Sequence, residues 1–214
     1  YEDIDPVRFV GNRSSGRMGY AIAAEAARRG AVVTLVAGPT ALTPPPSVTV
    51  IAVRSAAQMH AAVMERAADQ DAVVMSAAVA DYTLAAPAAD KTKKTDGPLT
   101  LTLTRTKDIL ADLGRLLSRA QRRPVLVGFA AETSNVIEYA KDKLERKGVD
   151  LIVANDVSRT DAGFEVDTNA VTLVSRDGVT DVPLQAKTAV AATIVNRIED
   201  FLAARPATDA KVRA

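Results

Sequence analysis

The chain has 214 residues, 48% hydrophobic but only 4% aromatic, enough for one large domain whose core is filled by Ala, Val and Leu. Its 27 basic and 26 acidic residues leave a net charge of +1, a balance that argues against general nucleic-acid binding while leaving room for a local basic pocket. The absence of Cys excludes a disulfide framework, a thiolate nucleophile and a zinc–cysteine site, and with no apolar run of about 18 residues and no signal peptide at Tyr1 the default expectation is a soluble, cytoplasmic protein.

The first informative stretch covers residues 5–30. It reads Asp5-Pro6-Val7-Arg8-Phe9-Val10-Gly11-Asn12-Arg13-Ser14-Ser15-Gly16-Arg17-Met18-Gly19 and continues as an Ala-rich helix to Arg28-Arg29-Gly30. A polar turn thus leads into a helix. Ser14 or Ser15 is suited to cap it, while Gly16 and Gly19 leave room for a ligand or a neighbouring strand. The positive end of the helix dipole faces the turn, where a phosphate is the natural guest. The spacing is not Gly-x-Gly-x-x-Gly, and the strand at 32–36 ends in Ala37-Gly38-Pro39, not in a ribose-binding acid. No Lys-Ser or Lys-Thr follows Gly16, so it is not a Walker loop. The competing reading is a capped helix that binds nothing.

Further along, strands and helices alternate. Val32-Val33-Thr34-Leu35-Val36 is a continuous apolar run, as expected of a strand covered on both faces. Residues 48–53 form a second strand, and Ser55 caps a helix with Met59, Ala62, Val63 and Ala67 inward. Ala72-Val73-Val74-Met75, Val125-Leu126-Val127-Gly128-Phe129 and Leu151-Ile152-Val153-Ala154 read as buried strands, with a charged helix over 136–147 between the last two. This alternation predicts an α/β, Rossmann-like three-layer fold: a parallel sheet with helices on both faces and right-handed crossovers. Ligands in such folds gather at the carboxyl ends of the strands. Two pieces break the rhythm, Leu99-Thr100-Leu101-Thr102-Leu103-Thr104 with strict period two and a hairpin around Arg176-Asp177-Gly178. Both are expected as antiparallel additions to the main sheet. A helix over 187–202 closes the domain (1–202), with Val190, Ile194, Ile198 and Phe201 or Leu202 inward, and residues 203–214 are expected to be a disordered tail.

The strand ends carry the candidate chemistry. Ser76-Ala77-Ala78-Val79-Ala80-Asp81-Tyr82 is a small-residue turn against which a flat ring can lie; Asp81 serves either its own turn or a ligand. Lys91, Lys93 and Lys94 lie in a segment with no apolar anchor, either a solvated loop or a flap that closes over a polyphosphate. Lys143 and Lys147 share one helix face and can both reach an anion. His60, the only histidine, lies far from every strand end and is assigned no role.

Five motifs in order carry a resemblance: Asn12-Arg13-Ser14-Ser15-Gly16-x-Met18-Gly19, Ala77-Ala78-Val79-Ala80-Asp81-Tyr82, Lys91-x-Lys93-Lys94, Val127-Gly128-Phe129-Ala130-Ala131-Glu132-Thr133 and Ala154-Asn155-Asp156. Together, over about residues 5–202, they resemble the bacterial phosphopantothenoylcysteine synthetases, the ligase half of a coenzyme A enzyme often fused to a flavin-dependent decarboxylase. The resemblance implies that the carboxylate of 4'-phosphopantothenate attacks the α-phosphate of CTP to give an acyl-cytidylate and pyrophosphate. The amine of L-cysteine then displaces CMP. It implies catalytic roles for Asn12, which holds the acyl oxygen, and Lys91, which neutralises phosphate charge. Nucleotide contacts fall on Ser14, Ser15, Gly16, Met75, Ser76, Ala77, Asp81, Lys91, Lys107, Asp108, Ile109, Leu110, Phe129, Lys143 and Lys147, and acid-substrate contacts on Arg8, Asn12 and Ala78. Backbone groups around Ala77 and Phe129 are the candidates for reading the base.

Mg²⁺ is expected on the phosphates, without a protein ligand motif. The family also implies a homodimer, with residues 99–104 and the hairpin as interface material. Neither nucleic acid nor membrane is an expected partner. Three departures stand out. The family's first strand and Gly-rich turn would precede Asp5; Thr106-Lys107-Asp108-Ile109 stands where many relatives have Asn-Pro-Asp-Ile; and no decarboxylase half is present, so no flavin is expected. Two other readings compete: an NAD(P)-dependent oxidoreductase on a similar sheet, and a catalytically silent nucleotide-binding module.

Overall fold

The structure, a computed structural model, describes residues 1–94, 96–120, 122–156 and 166–205; the expected tail beyond residue 205 lies outside them. In chain order the strands and helices are β1 (Glu2–Asp3), β2 (Phe9–Val10), α1 (Arg17–Arg28), β3 (Val33–Ala37), β4 (Val48–Ala52), α2 (Ala56–Arg66), β5 (Ala72–Met75), β6 (Tyr82–Leu84) and β7 (Leu103–Arg105). There follow α3 (Ile109–Leu117), β8 (Val125–Glu132), α4 (Val136–Lys147), β9 (Leu151–Asp156), β10 (Thr168–Ser175), β11 (Gly178–Ala186) and α5 (Lys187–Ala203).

The main sheet has five strands in the order β11-β10-β9-β8-β5. β5, β8 and β9 are parallel; β10 and β11 form an antiparallel hairpin added to β9. Period-two side-chain alternation divides the core between the two faces. Leu126, Ala130, Ile152, Ala154 and Val174 pack against α2, α3 and α4, whereas Val125, Val127, Leu151, Val153, Val171 and Leu173 pack against α1 and α5. The expected three layers are therefore present.

Local signals explain several boundaries. Ser55 and Gln58 form a reciprocal capping box at the start of α2, with Glu2 accepting from the Ala56 amide at 2.7 Å. Arg176-Asp177 turns the hairpin; its strands, expected over 170–175 and 179–184, each run two residues further at the open end. Met59, Val63 and Ala67 are inward as expected, with Ala62 half-buried. α5 buries Val190, Ile194 and Ile198, leaving both Phe201 and Leu202 half-buried, and continues to Ala203 within the segment expected as tail. His60 bonds Asp112 at 2.8 Å between α2 and α3.

Three expectations are corrected. Residues 32–36 are not covered on both faces: Val32 is 97% exposed, and β3 begins at Val33 and pairs only with β4 in a separate two-stranded parallel sheet. β5 is likewise half-buried, paired on its β8 side only. The alternating segment 99–104 does not join the main sheet; only β7 is a strand, and it pairs antiparallel with β6. Period two identifies a half-exposed strand but says nothing about its neighbour.

Helix α3 lies so close to the end of α4 that a Cβ on Gly114 would overlap the Lys147 carbonyl oxygen, which is backbone and has nowhere to go. Gly114→Ala is expected to cost about 1–3 kcal/mol, as overpacking does. Chemical denaturation measures it, and an unchanged midpoint would contradict the packing described.

Candidate functional site

The turns after β2, β3 and β5 open onto one cleft, lined by Asn12, Ser14, Ser15, Gly16, the 76–80 turn and Phe129, with residues 35–40 and Met59 as its walls. It holds about 1250 Å³ of space, its open mouth included. Small side chains at Ser76, Ala77, Ala78 and Ala80 keep the backbone accessible, which suits a flat ring.

Helix α1 points its N-terminus into this cleft, and it starts differently from the expected Ser cap. Its N-cap is Gly16, in the left-handed region at φ 74, and no side chain caps the helix. A side chain would strain that conformation. Ser14 accepts from the Gly16 amide at 3.4 Å and Ser15 from the Arg17 amide at 3.5 Å, both long. The positive helix end is thereby available to an anion. Gly19 serves a different purpose: a Cβ there would lie 2.7 Å from Ser76 Oγ, so its smallness lets α1 approach the end of β5.

Asn12 bridges two sides of the cleft, its Nδ2 donating to the Val79 carbonyl at 3.0 Å. One amide hydrogen is thus used to fix the side chain, leaving the second N–H and Oδ1 for a guest. The floor holds residues that the sequence reasoning passed over. Asn155 (8% exposed), Asn169 (3%) and Lys187 (6%) all line the cleft. Among the described residues the Oδ1 atoms of both asparagines are shielded from solvent and lack hydrogen-bond partners. Burial, together with the nearby charge of Arg17, pulls the Lys187 ammonium below 10.5 against the opposing pull of Asp167. Asn155 belongs to the fifth sequence motif, which assigned it no contact. Asn169 and Lys187 gave no local signal, because a strand residue and a first helical residue become cleft floor only through the hairpin fold.

A second cluster sits on α4. Lys143 Nζ donates to the Phe129 carbonyl at 2.7 Å, and Lys147 pairs with Asp108. Burial, with the charge of Lys147, lowers the Lys143 ammonium below 10.5, opposed by Glu132, Asp108 and Asp81. Burial pushes the Asp108 carboxyl up, but the Lys147 ammonium and the Ala111 amide, 2.9 Å from Asp108 Oδ1, outweigh it and hold the group below 3.8. Lys107 and Asp81 are exposed, whereas the Ile109 and Leu110 side chains are buried in the core, so only their backbone is available to a ligand. Met75 packs against the same core. Arg8 and Lys91 belong to neither group: Arg8 is clasped by Asp5 and bonds the Thr92 carbonyl, next to Lys91.

Comparison with known proteins adds to this geometry. Residues 1–202 match the family described as the DNA/pantothenate metabolism flavoprotein C-terminal domain. The chain is similar to the coenzyme A biosynthesis bifunctional protein CoaBC of Haemophilus influenzae, 47% identical over 197 residues, covering 92% of this chain and 48% of that protein. It is equally similar, 47% over 200 residues with the same coverage, to the protein of that name from Escherichia coli. It thus spans about half the length of the curated relatives it matches. The crystal structure of the C-terminal domain of CoaBC superposes with a TM-score of 0.78 at 44% identity, over 94% of this chain and 90% of that one. The Cab2 H337A mutant, solved with phosphopantothenate-cysteine, shares the fold at a TM-score of 0.75 and 17% identity, over 94% of this chain and 83% of that one.

Because the folded-state value of Asp108 is lowered, its ion pair stabilises the fold fully above the unfolded value of 3.8 and is lost as pH falls through the folded one. Asp108→Asn preserves a capping side chain and removes the charge. It is expected to cost about 0.2–1 kcal/mol at pH 7, the range of exposed pairs, and progressively less as pH falls below 3.8. Thermal unfolding over a series of pH values from neutral downward tests this; a loss that does not shrink with falling pH would refute it.

Proposed function

The chain belongs to the DNA/pantothenate metabolism flavoprotein C-terminal domain family, and on that premise we propose that it is a CTP-dependent phosphopantothenate–cysteine ligase of coenzyme A biosynthesis. The observation that carries this reading is the uncapped start of α1, opening onto the same cleft as the small-residue turn 76–80 and the tethered Asn12.

The chemistry follows from what each part offers. A free carboxylate is a poor electrophile, so it must first become a mixed anhydride with a nucleotide. The N-terminus of α1 meets the phosphate charge, and peptide groups around Ala77 and Phe129 satisfy the cytosine edge without a charged side chain. Phe129 lines the cleft while its carbonyl accepts from Lys143, which supports a nucleotide lying between the cleft and the α4 cluster. Asn12, immobilised by Val79, presents its second N–H to the acyl oxygen as charge develops there. Arg8 and Lys91 meet the remaining anionic groups. The amine of L-cysteine then attacks the acyl carbon and CMP leaves.

Mg²⁺ would come with the phosphates of CTP, held by phosphate oxygens and water, and would supply neutralisation of phosphate charge there. In the whole protein this domain works beside a flavin-dependent decarboxylase, a reading supported by the word bifunctional in the relatives' name. It also works as a homodimer: Phe9, Tyr82, Leu99 and Leu103 are exposed apolar side chains on or beside the β1–β2 and β6–β7 ribbons, which pack side by side. No helix among the described residues is long and apolar enough to cross a membrane.

Pyrophosphate release from 4'-phosphopantothenate and CTP, with ATP as the comparison and L-cysteine added second, tests the reaction; no release with any nucleotide would refute it. Asn12→Ala is expected to lower amide formation by roughly 10²–10³, as loss of a donor to a developing oxyanion does, while the melting temperature stays near that of the parent. Wild-type turnover would remove Asn12 from the site. Light scattering is expected to give twice the chain mass of 22.5 kDa, and a fully active monomer would contradict the dimer.

A further inference from the structure

The lysine-bearing loop between β6 and β7 is rooted on the N-terminal hairpin. The Ala85 amide donates to the Thr102 carbonyl at 3.2 Å and the Ala88 amide to the Ile4 carbonyl at 2.9 Å. The Thr92 amide donates to Asp5 Oδ2 at 3.2 Å, and Arg8 Nη2 donates to the Thr92 carbonyl at 2.9 Å. The sequence, which shows no apolar anchor here, gave no hint of this attachment. Its centre is one carboxylate. Asp5 is 2% exposed, and besides Thr92 it accepts from the amides of Val7 and Arg8 at 2.9 Å each, from Arg8 Nε at 2.9 Å and from Arg8 Nη2. The Arg8 guanidinium, followed by the backbone donors, holds the Asp5 carboxyl far below the usual carboxylate range, so it is charged at any working pH.

We propose that Asp5 is a positioning residue: its buried carboxylate locks the Arg8 guanidinium and the Lys91–Thr92 backbone into one unit, so that the two cations keep a set separation when they meet the anionic acid substrate. The functional half of this statement rests on the ligase reading. A buried carboxylate with donors from two chain segments 87 residues apart acts as a junction. Neutralising it weakens every bond it accepts, and the first to open is the single long-range one, to Thr92. Arg8 then loses the backbone that fixes where its guanidinium lies relative to Lys91.

The test uses Asp5→Asn, Thr92→Pro and the double variant, in the protein as it stands. Thr92→Pro removes the loop's N–H, while also fixing φ at 92 and biasing Lys91 toward extended backbone, and leaves the Asp5–Arg8 pair in place. Without any substrate, hydrogen–deuterium exchange at the Ala88 amide, which donates to the Ile4 carbonyl, is expected to rise about tenfold in each single variant and no further in the double, the signature of one shared contact. KM for 4'-phosphopantothenate is expected to rise by about tenfold in both single variants, again without multiplying in the double. A merely structural carboxylate would lower the melting temperature and leave KM of the folded enzyme alone. Unchanged exchange in both variants, effects that multiply, or an unchanged KM would overturn the proposal. If Asp5→Asn fails to fold, exchange and KM in Thr92→Pro alone decide it. Should the wild-type protein release no pyrophosphate, the ligase reading falls, whereas the exchange experiment still decides whether the latch exists.

Discussion

Strand β8 is hydrogen-bonded on both sides, to β5 and β9, and Val125, Leu126 and Val127 are wholly excluded from water. Both helical layers rest on it, since its odd-numbered side chains face α1 and α5 and its even-numbered ones face α2, α3 and α4. With β5, β8 and β9 all parallel, their carboxyl ends lie at one edge. The 76–80 turn, Phe129 and Asn155 reach the same place for that reason. The cleft is thus a geometric consequence of parallel pairing, and its chemistry comes from which side chains occupy the ends.

The parts that a short window of sequence could reveal are those whose cause is local. The apolar runs of β8 and β9 met both helical layers, the charged helix α4 spans the expected residues, and the Ser55–Gln58 capping box lies within four positions. The Arg176-Asp177-Gly178 hairpin is equally local. What escaped depends on partners far along the chain. Val32 has strand-like neighbours but no cover, and β7 finds β6 about twenty residues back instead of the main sheet. Ser14 and Ser15 had the composition of a cap, but the left-handed Gly16 took the position between them and the helix. The motifs led to Asn12, Ser14, Ser15, Gly16, Ser76, Ala77, Ala78 and Phe129, which share the cleft. Asn169 and Lys187 could not be read in the same way, since the β10–β11 hairpin has to fold before either reaches the floor.

Positive charge is arranged in two modes. Lys143 and Lys147 are held on a helix, one against a carbonyl and the other against Asp108, and burial already disfavours the charge on Lys143. An arriving polyphosphate would relieve that cost, so this pair is fixed in place before any ligand comes. Lys93 and Lys94 are exposed on the loop beyond Thr92, where flexible stems leave their direction to the ligand. A preset pair and an adaptable pair suit the proposed reaction, in which the charge distribution changes between two steps.

The N-terminal hairpin makes nearly all its attachments at long range: Glu2 to Ala56, Ile4 to Ala88, Asp5 to Thr92 and Asn12 to Val79. Closing such wide loops is slow, and no partner is available until the chain has been synthesised well past it. Within this domain the segment is therefore made before every partner it needs and is among the last parts to settle. A nascent chain carries the turn at 12–16 unassembled until Phe129, Asn155, Asn169 and Lys187, which line the same cleft, have emerged, so the cleft forms with completion of the domain and not with the helix that bears the motif.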